Sequence, residues 1–424
     1  MESTFKALLF VAVGFMFLSS STAAAFDFQE IRLFAFAVVF GTIALAAFAC
    51  HPVIRLDALE LPLILLWFLG MMAVFDLAGT FDPLDYKVAL PVLAIAVAPN
   101  VRQVLVDTDL PRWIFRAFAA YTLGIITINA FASGPLAWMQ MTGRVDLSGS
   151  VVSMASLGVI TVLLALGEAR QARGLRRFFL VSISLLAFLA MFAAATRTAI
   201  VTLGVTGLLL VIAGPNRSGK MRGLIVCLVA ILGLFAAHTL FVSDVFYLRL
   251  IGDFSEDYSS GRWHSLVHWL EIAASGPFGQ GIGSVREIMQ GGRPDISGGK
   301  LLEWPHNEFV RFFVEGGVFG FAMISLLVLA MTGRAVRSAR TACDERERIV
   351  ILVLAADMIA QSLLQNHFNM VYHSSMTMLL LATLTVPEAQ GSPAIDTADR
   401  LRFQEKNGRG GSACRTDRNL PSMT

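Results

Sequence analysis

Residues 304–331 read WPHNEFVRFFVEGGVFGFAMISLLVLAM. Trp304-Pro305-His306-Asn307-Glu308 leads directly into the apolar run Phe309–Met331. A helix needs about 20 mostly apolar residues to cross a bilayer, and this run supplies them. Working outward, runs of similar character recur on both sides. Before it they lie near Phe5–Ala25, Ile31–Cys50, Leu59–Leu77, Val88–Ala98, Trp113–Ala132, Val151–Gly167, Phe178–Ala195, Ala199–Ala213 and Leu224–Val242. After it come Ile349–Gln365 and Ser374–Val386. The fold class predicted is an all-α, polytopic inner-membrane helical bundle of about 12 transmembrane helices. The composition agrees: of 424 residues, 56% are hydrophobic and 15% charged. A soluble domain carries about 25% charge. A soluble enzyme, a nucleic-acid binder and a disordered scaffold are excluded.

Orientation follows from Lys and Arg, which concentrate on the cytoplasmic side of membrane proteins. With the N-terminus cytoplasmic and the sides alternating, 23 of the 33 basic residues fall on one face. They include Lys6, Arg55, Arg102, Arg112 and Arg116, and the clusters 170–177, 217–222, 334–348 and 400–418. Both termini are therefore expected in the cytoplasm. The formal net charge of +2 hides this polarity, because the outer face is acidic on balance. Cys50, Cys227, Cys343 and Cys414 fall at or near the cytoplasmic face, so no disulfide is expected. The division expected is a bundle over residues 1–386 and a disordered cytoplasmic tail over 387–424, polar and rich in Gly, Ser, Arg and Asp. The first segment has two readings. Lys6, an apolar stretch and the small residues Ser19–Ala25 suit a cleaved secretory signal or a retained helix.

One outer connection, 243–308, is much longer than the rest, and long loops tend to carry function. Ser259-Ser260 can cap a helix in which Trp263, Leu266, Val267 and Leu270 form an apolar stripe. Pro277 with Gly276, Gly279, Gly281 and Gly283 then makes a tight turn. Its amides could cradle a phosphate, or it could be a plain turn. His306 lies where the loop re-enters the bundle, beside Arg311. His264, His268 and Glu271 have spacing that can hold zinc, but no third firm ligand is evident, and no metal is assigned. Asp357, Gln361 and Gln365 place one polar face inside a membrane helix, either lining a cleft or joining helices. Asp82 and Asp85 share an early outer loop but make no Asp-x-Asp pair.

Taken together, these residues resemble the O-antigen ligase and polymerase family. The likeness rests on Gly261-Arg262-Trp263, the Pro277–Gly283 turn, His306-Asn307-Glu308-Phe309 and Glu315–Gly320. Thr196-Arg197-Thr198 matches the family's Ser/Thr-Arg signature. Arg144 with Gly149 matches its Arg-x-x-x-x-Gly element, although Val151-Val152 replace the Pro and Asn that often follow. The region of likeness is about 144–320. The resemblance implies metal-independent, inverting glycosyl transfer at the periplasmic face of a bacterial inner membrane, with no cofactor. The donor would be a glycan on undecaprenyl diphosphate. The acceptor would be a sugar hydroxyl, on a lipid core for a ligase or on another repeat unit for a polymerase.

That chemistry suits the residues present. Arg binds phosphate through a planar fork and stays charged. Arg144, Arg197 and Arg262 all fall on the outer side, where they would hold the diphosphate and stabilise it as it leaves. An interfacial Arg can also simply snorkel to headgroups. His306 is the candidate base for the acceptor hydroxyl, with Glu308 or Glu303 orienting it or serving as base. A secondary transporter or flippase is the rival from another class. The halves show no internal repeat, and most candidate charges lie at the outer boundary rather than mid-membrane.

Overall fold

The computed structural model describes residues 2–17, 29–50, 89–133, 151–193, 197–214, 217–240, 262–290, 295–296, 300–301, 304–342, 344–364 and 370–386. Ten helices carry apolar runs: α1 (Glu2–Phe17), α2 (Gln29–Cys50), α3 (Leu90–Val104), α4 (Leu110–Ser133), α5 (Val151–Gln171), α6 (Gly174–Ala193), α7 (Arg197–Ala213), α8 (Arg217–Leu240), α11 (Glu308–Thr341) and α12 (Glu345–Leu364). α13 (Val371–Thr385) follows them, and the long loop adds α9 (Arg262–Ser275) and α10 (Ser284–Gln290). Eleven of the twelve expected spans thus meet a helix. The third, Leu59–Leu77, lies outside the described residues, as do Asp82, Asp85 and the tail 387–424. One small departure from an all-α reading is a two-residue antiparallel ladder inside the loop, Asp295–Ile296 against Lys300–Leu301.

Among the described residues, Leu33–Cys50 of α2 and the whole of α11 are long and apolar enough to cross a membrane. Leu90–Val104, Gly158–Ala169 and Thr198–Ala213 are shorter apolar helices. The surface is that of a membrane protein. Phe34 is 71% exposed and Leu45 73%, and large apolar side chains also face outward on α6, α8 and α11. A water-facing monomer does not spread that much apolar area over its surface.

The core forms around α12, whose middle is covered by other helices on all sides. Val350 through Ala356 are all fully buried. α12 packs against α4, α5, α7, α11 and α13. α13 is buried along its whole length and rests on α3. Between α12 and α13 lies a polar seam. Asp357 Oδ2 meets His373 Nε2 at 2.5 Å and accepts from Thr377 Oγ1 at 3.4 Å. Gln361 Nε2 donates to the other Asp357 oxygen at 3.4 Å. Part of the expected polar face therefore joins helices, while Gln365 lies outside the described residues. α7 and α8 cross with no room for side chains. A Cβ on Gly207 would lie 2.8 Å from the Gly223 carbonyl oxygen, and one on Gly223 would lie 2.6 Å from that of Gly207. Such small-residue contacts let membrane helices approach closely.

The basic residues gather at one end of the bundle. Glu2 accepts from Lys6 and from Thr108, each at 2.6 Å, which sets the start of α1 beside the α3–α4 turn. Arg346 at the start of α12 reaches Asp109 at 3.3 Å and also pairs with buried Glu168 of α5. Arg176 of α6 meets the same Glu168 at 3.1 Å. Arg222 of α8 pairs with Glu345, and Arg340 donates to the Ile212 carbonyl at 3.1 Å. Arg334 donates to the last carbonyl of α13, Thr385, at 3.0 Å. Basic residues here join carboxylates and helix C-termini, where cations are favoured.

Candidate functional site

The opposite end of the bundle carries the loop, and there two glycine-rich stretches meet. α11 is broken at Gly317, whose φ of 62° and ψ of −155° are not helical. The break frees the carbonyls of Val314 and Glu315, and the Pro277–Gly283 turn fills the gap. Gln280 N donates to Val314 O at 2.8 Å, and Gly281 N to Glu315 O at 3.0 Å. In return Val318 N donates to Pro277 O at 2.9 Å. Gly279, Gly281 and Gly283 all have positive φ, which only glycine adopts freely. The turn is therefore built to dock on the helix break. The amides of Gln280 and Gly281 are used in that docking, which favours the plain-turn reading over a phosphate cradle. Phe278 at the tip is 90% exposed.

α9 holds the loop down from the other side. Trp269 and Ala273 are fully buried and form a small core with Val285, Met289, Val310 and Val314. The sequence stripe was out of phase here: Val267 and Leu270 are exposed, and the buried face is Ser265, Trp269 and Ala273. Helix packing chose the large Trp269 for the contact with α11. An apolar pattern alone cannot separate a protein-facing side from a lipid-facing one. His268 meets Glu271 at 3.6 Å on the outer surface of this helix.

The start of α11 is fixed by its own sequence. Asn307 is the N-cap, and its side chain accepts from Val310 N at 3.1 Å. The same side chain donates through Nδ2 to the Leu363 carbonyl at the end of α12, at 3.2 Å. One residue earlier, His306 has φ of 40°, the only positive φ outside glycine among the described residues. That conformation costs about 1–3 kcal/mol and survives where neighbours impose it. Pro305 on one side is buried, and Asn307 on the other is tied to two helices. His306 itself is half-buried.

Beneath His306 lies a buried charge cluster on α11. Arg311 is 2% exposed; its Nη1 lies 3.4 Å from Glu308 and its Nε 3.3 Å from Glu315. Both glutamates are buried too. Charges this deep are tolerated only when paired. Glu308 is thus an Arg311 partner, about two turns from its fellow Glu315. The signals that could have shown this are the i, i+3, i+7 spacing of these three residues and the Asn just before the helix.

For the expected phosphate-binding arginines the structure gives backbone positions. Arg197 opens α7 at the loop end of the bundle, followed by buried Thr198. Arg262 opens α9. Both α7 and α9 pack against α11, the helix that His306 precedes. Arg144, Arg293 and Glu303 lie outside the described residues.

Residues 182–325 match the family model for O-antigen ligase. The matched stretch holds Arg197, Arg262, the glycine turn, His306 and the broken part of α11. No curated protein matches the chain.

Proposed function

We propose that the chain is a member of the O-antigen ligase family, whose model matches residues 182–325, and that it transfers a glycan from undecaprenyl diphosphate to a sugar hydroxyl at the periplasmic face. The arginine-rich end of the bundle is then cytoplasmic, with both termini there, and the loop end faces the periplasm of a multi-pass inner-membrane protein. The family match supports a role in polysaccharide biosynthesis.

In this reaction the acceptor oxygen attacks the anomeric carbon as the bond from that carbon to the phosphate oxygen breaks. The electron pair leaves with undecaprenyl diphosphate, and attack from the opposite face inverts the anomeric centre. Arg197, Arg262 and Arg144 meet the two phosphates and stabilise the departing charge. His306 takes the acceptor proton, a step typically worth about 10²–10⁴ in rate. Glu308 positions the site by holding Arg311 under the start of α11. No metal is required, because arginines neutralise the leaving group.

The observation that carries this reading is the imposed left-handed backbone of His306 at the junction of loop and bundle. Strain of that kind is stored where a side chain must be aimed. A glycan ladder gel of a deletion strain tests the reading. Loss of a ligase leaves full-length polymer on the lipid carrier, whereas loss of a repeat-unit polymerase leaves single units. Unchanged glycans contradict both.

A further inference from the structure

At the other end of the bundle, far from His306, a narrow cavity of about 220 Å³ runs between α5, α7, α8 and α12. Its floor is made by Leu203 and Phe188, and its mouth by Gly214, Gly219, Arg222 and Arg348. Between floor and mouth the walls are almost wholly aliphatic.

Two dimensions match a lipid leaflet. From Leu203 to Gly214 the α7 axis rises about 16 Å at 1.5 Å per residue. Half of a hydrocarbon core is about 15 Å. The cavity also opens sideways. Leu166 on α5 and Ile225 on α8 both line it and are both exposed on the apolar surface. An acyl chain can therefore enter from the bilayer without crossing a polar barrier.

The mouth is cationic. Arg222 is paired with Glu345, and both are less than half exposed. Arg348 is held in place by donating to the Ala339 and Ala342 carbonyls at 2.8 and 2.6 Å. The first turn of α8, beside this mouth, also carries exposed Arg217 and Lys220. Among the lining residues two cations, Arg222 and Arg348, accompany one carboxylate, Glu345. A zwitterionic headgroup gains little there, whereas an anionic phosphate gains about 1 kcal/mol per basic residue near the surface.

We propose that this slot is a binding site for an anionic phospholipid of the cytoplasmic leaflet, one acyl chain lying between α5 and α8 and the phosphate resting on the Arg217–Arg222 lip. The site goes beyond glycan transfer, and its occupancy is read without any glycan substrate.

Full-length protein in detergent is titrated with phosphatidylglycerol and with phosphatidylcholine of identical chains, and bound lipid is counted by native mass spectrometry. Phosphatidylglycerol is expected to bind more tightly. Arg217→Glu with Lys220→Glu, both exposed in the first turn of α8, is expected to weaken phosphatidylglycerol at least about fivefold and leave phosphatidylcholine unchanged. Gly167→Leu fills the slot from α5, where a new Cβ has only Ile349 Cδ1 near, at 3.8 Å. It is expected to weaken both lipids. Equal binding of the two lipids overturns the proposal. So does phosphatidylglycerol binding that ignores the reversed lip, or binding that survives the filled slot.

Discussion

Gly279 and Gly317 press backbone against backbone: a Cβ on Gly279 would sit 2.5 Å from Gly317 N, and one on Gly317 would sit 2.6 Å from Gly279 N. The contact welds the long loop to the break in α11 and fixes the helix start on which His306 sits.

Gly317→Ala is therefore expected to release the loop. It adds left-handed strain of about 1–3 kcal/mol and forces the two backbones apart. Limited proteolysis of the purified protein checks this. Cleavage between residues 262 and 304 should rise sharply in the variant. A digestion pattern like that of the parent protein contradicts the docking.

Arg311→Met leaves Glu308 and Glu315 buried without their guanidinium. Breaking a buried pair in this way costs about 3–5 kcal/mol. A large fall in melting temperature is expected, and adding Glu308→Gln and Glu315→Gln should recover most of it. If the single variant melts like the parent, the cluster is not holding α11.

These two features were legible to different degrees. The Pro277–Gly283 turn and Glu315–Gly320 were each visible in the sequence, and so was their place near the membrane boundary. Their docking was not, because carbonyls freed by a helix break and amides 34 residues earlier pair only in three dimensions. Helix positions were readable because spans are long apolar runs. The burial phase of α9 was not, since Trp269 faces protein while Val267 and Leu270 face outward, and both sides are apolar. In the sequence Arg311 stood out only as a neighbour of His306. Its burial depends on Glu308 and Glu315, whose spacing alone did not show that the helix face turns inward. Left-handed backbone at His306 has no sequence signature beyond the tolerance of His for that region.

Asp357 and His373 are expected to be coupled across the α12–α13 seam. Asp357→Leu strands buried polar atoms of His373, at a cost of about 1–3 kcal/mol. A thermal double-mutant cycle with His373→Leu should show a coupling of about 0.5–3 kcal/mol. Strictly additive melting shifts contradict a joined pair.

Arg346→Ala removes one of two cations from buried Glu168 and also the contact to Asp109. Arg176 still reaches Glu168 and softens the loss. A destabilisation of about 1–3 kcal/mol is expected, smaller than for Arg311. Chemical denaturation in micelles ranks the two variants, and the reverse order contradicts this account of the basic end.

The most direct test is transfer by purified protein from a synthetic lipid-diphosphate glycan donor to a defined sugar acceptor, with chelator present. His306→Asn is the decisive variant, because Asn tolerates the left-handed backbone and removes only the imidazole. With melting temperature unchanged, the account predicts loss of about 10²–10⁴ in rate for His306→Asn and a large loss for Arg197→Ala. Full activity in both folded variants would contradict the proposed site.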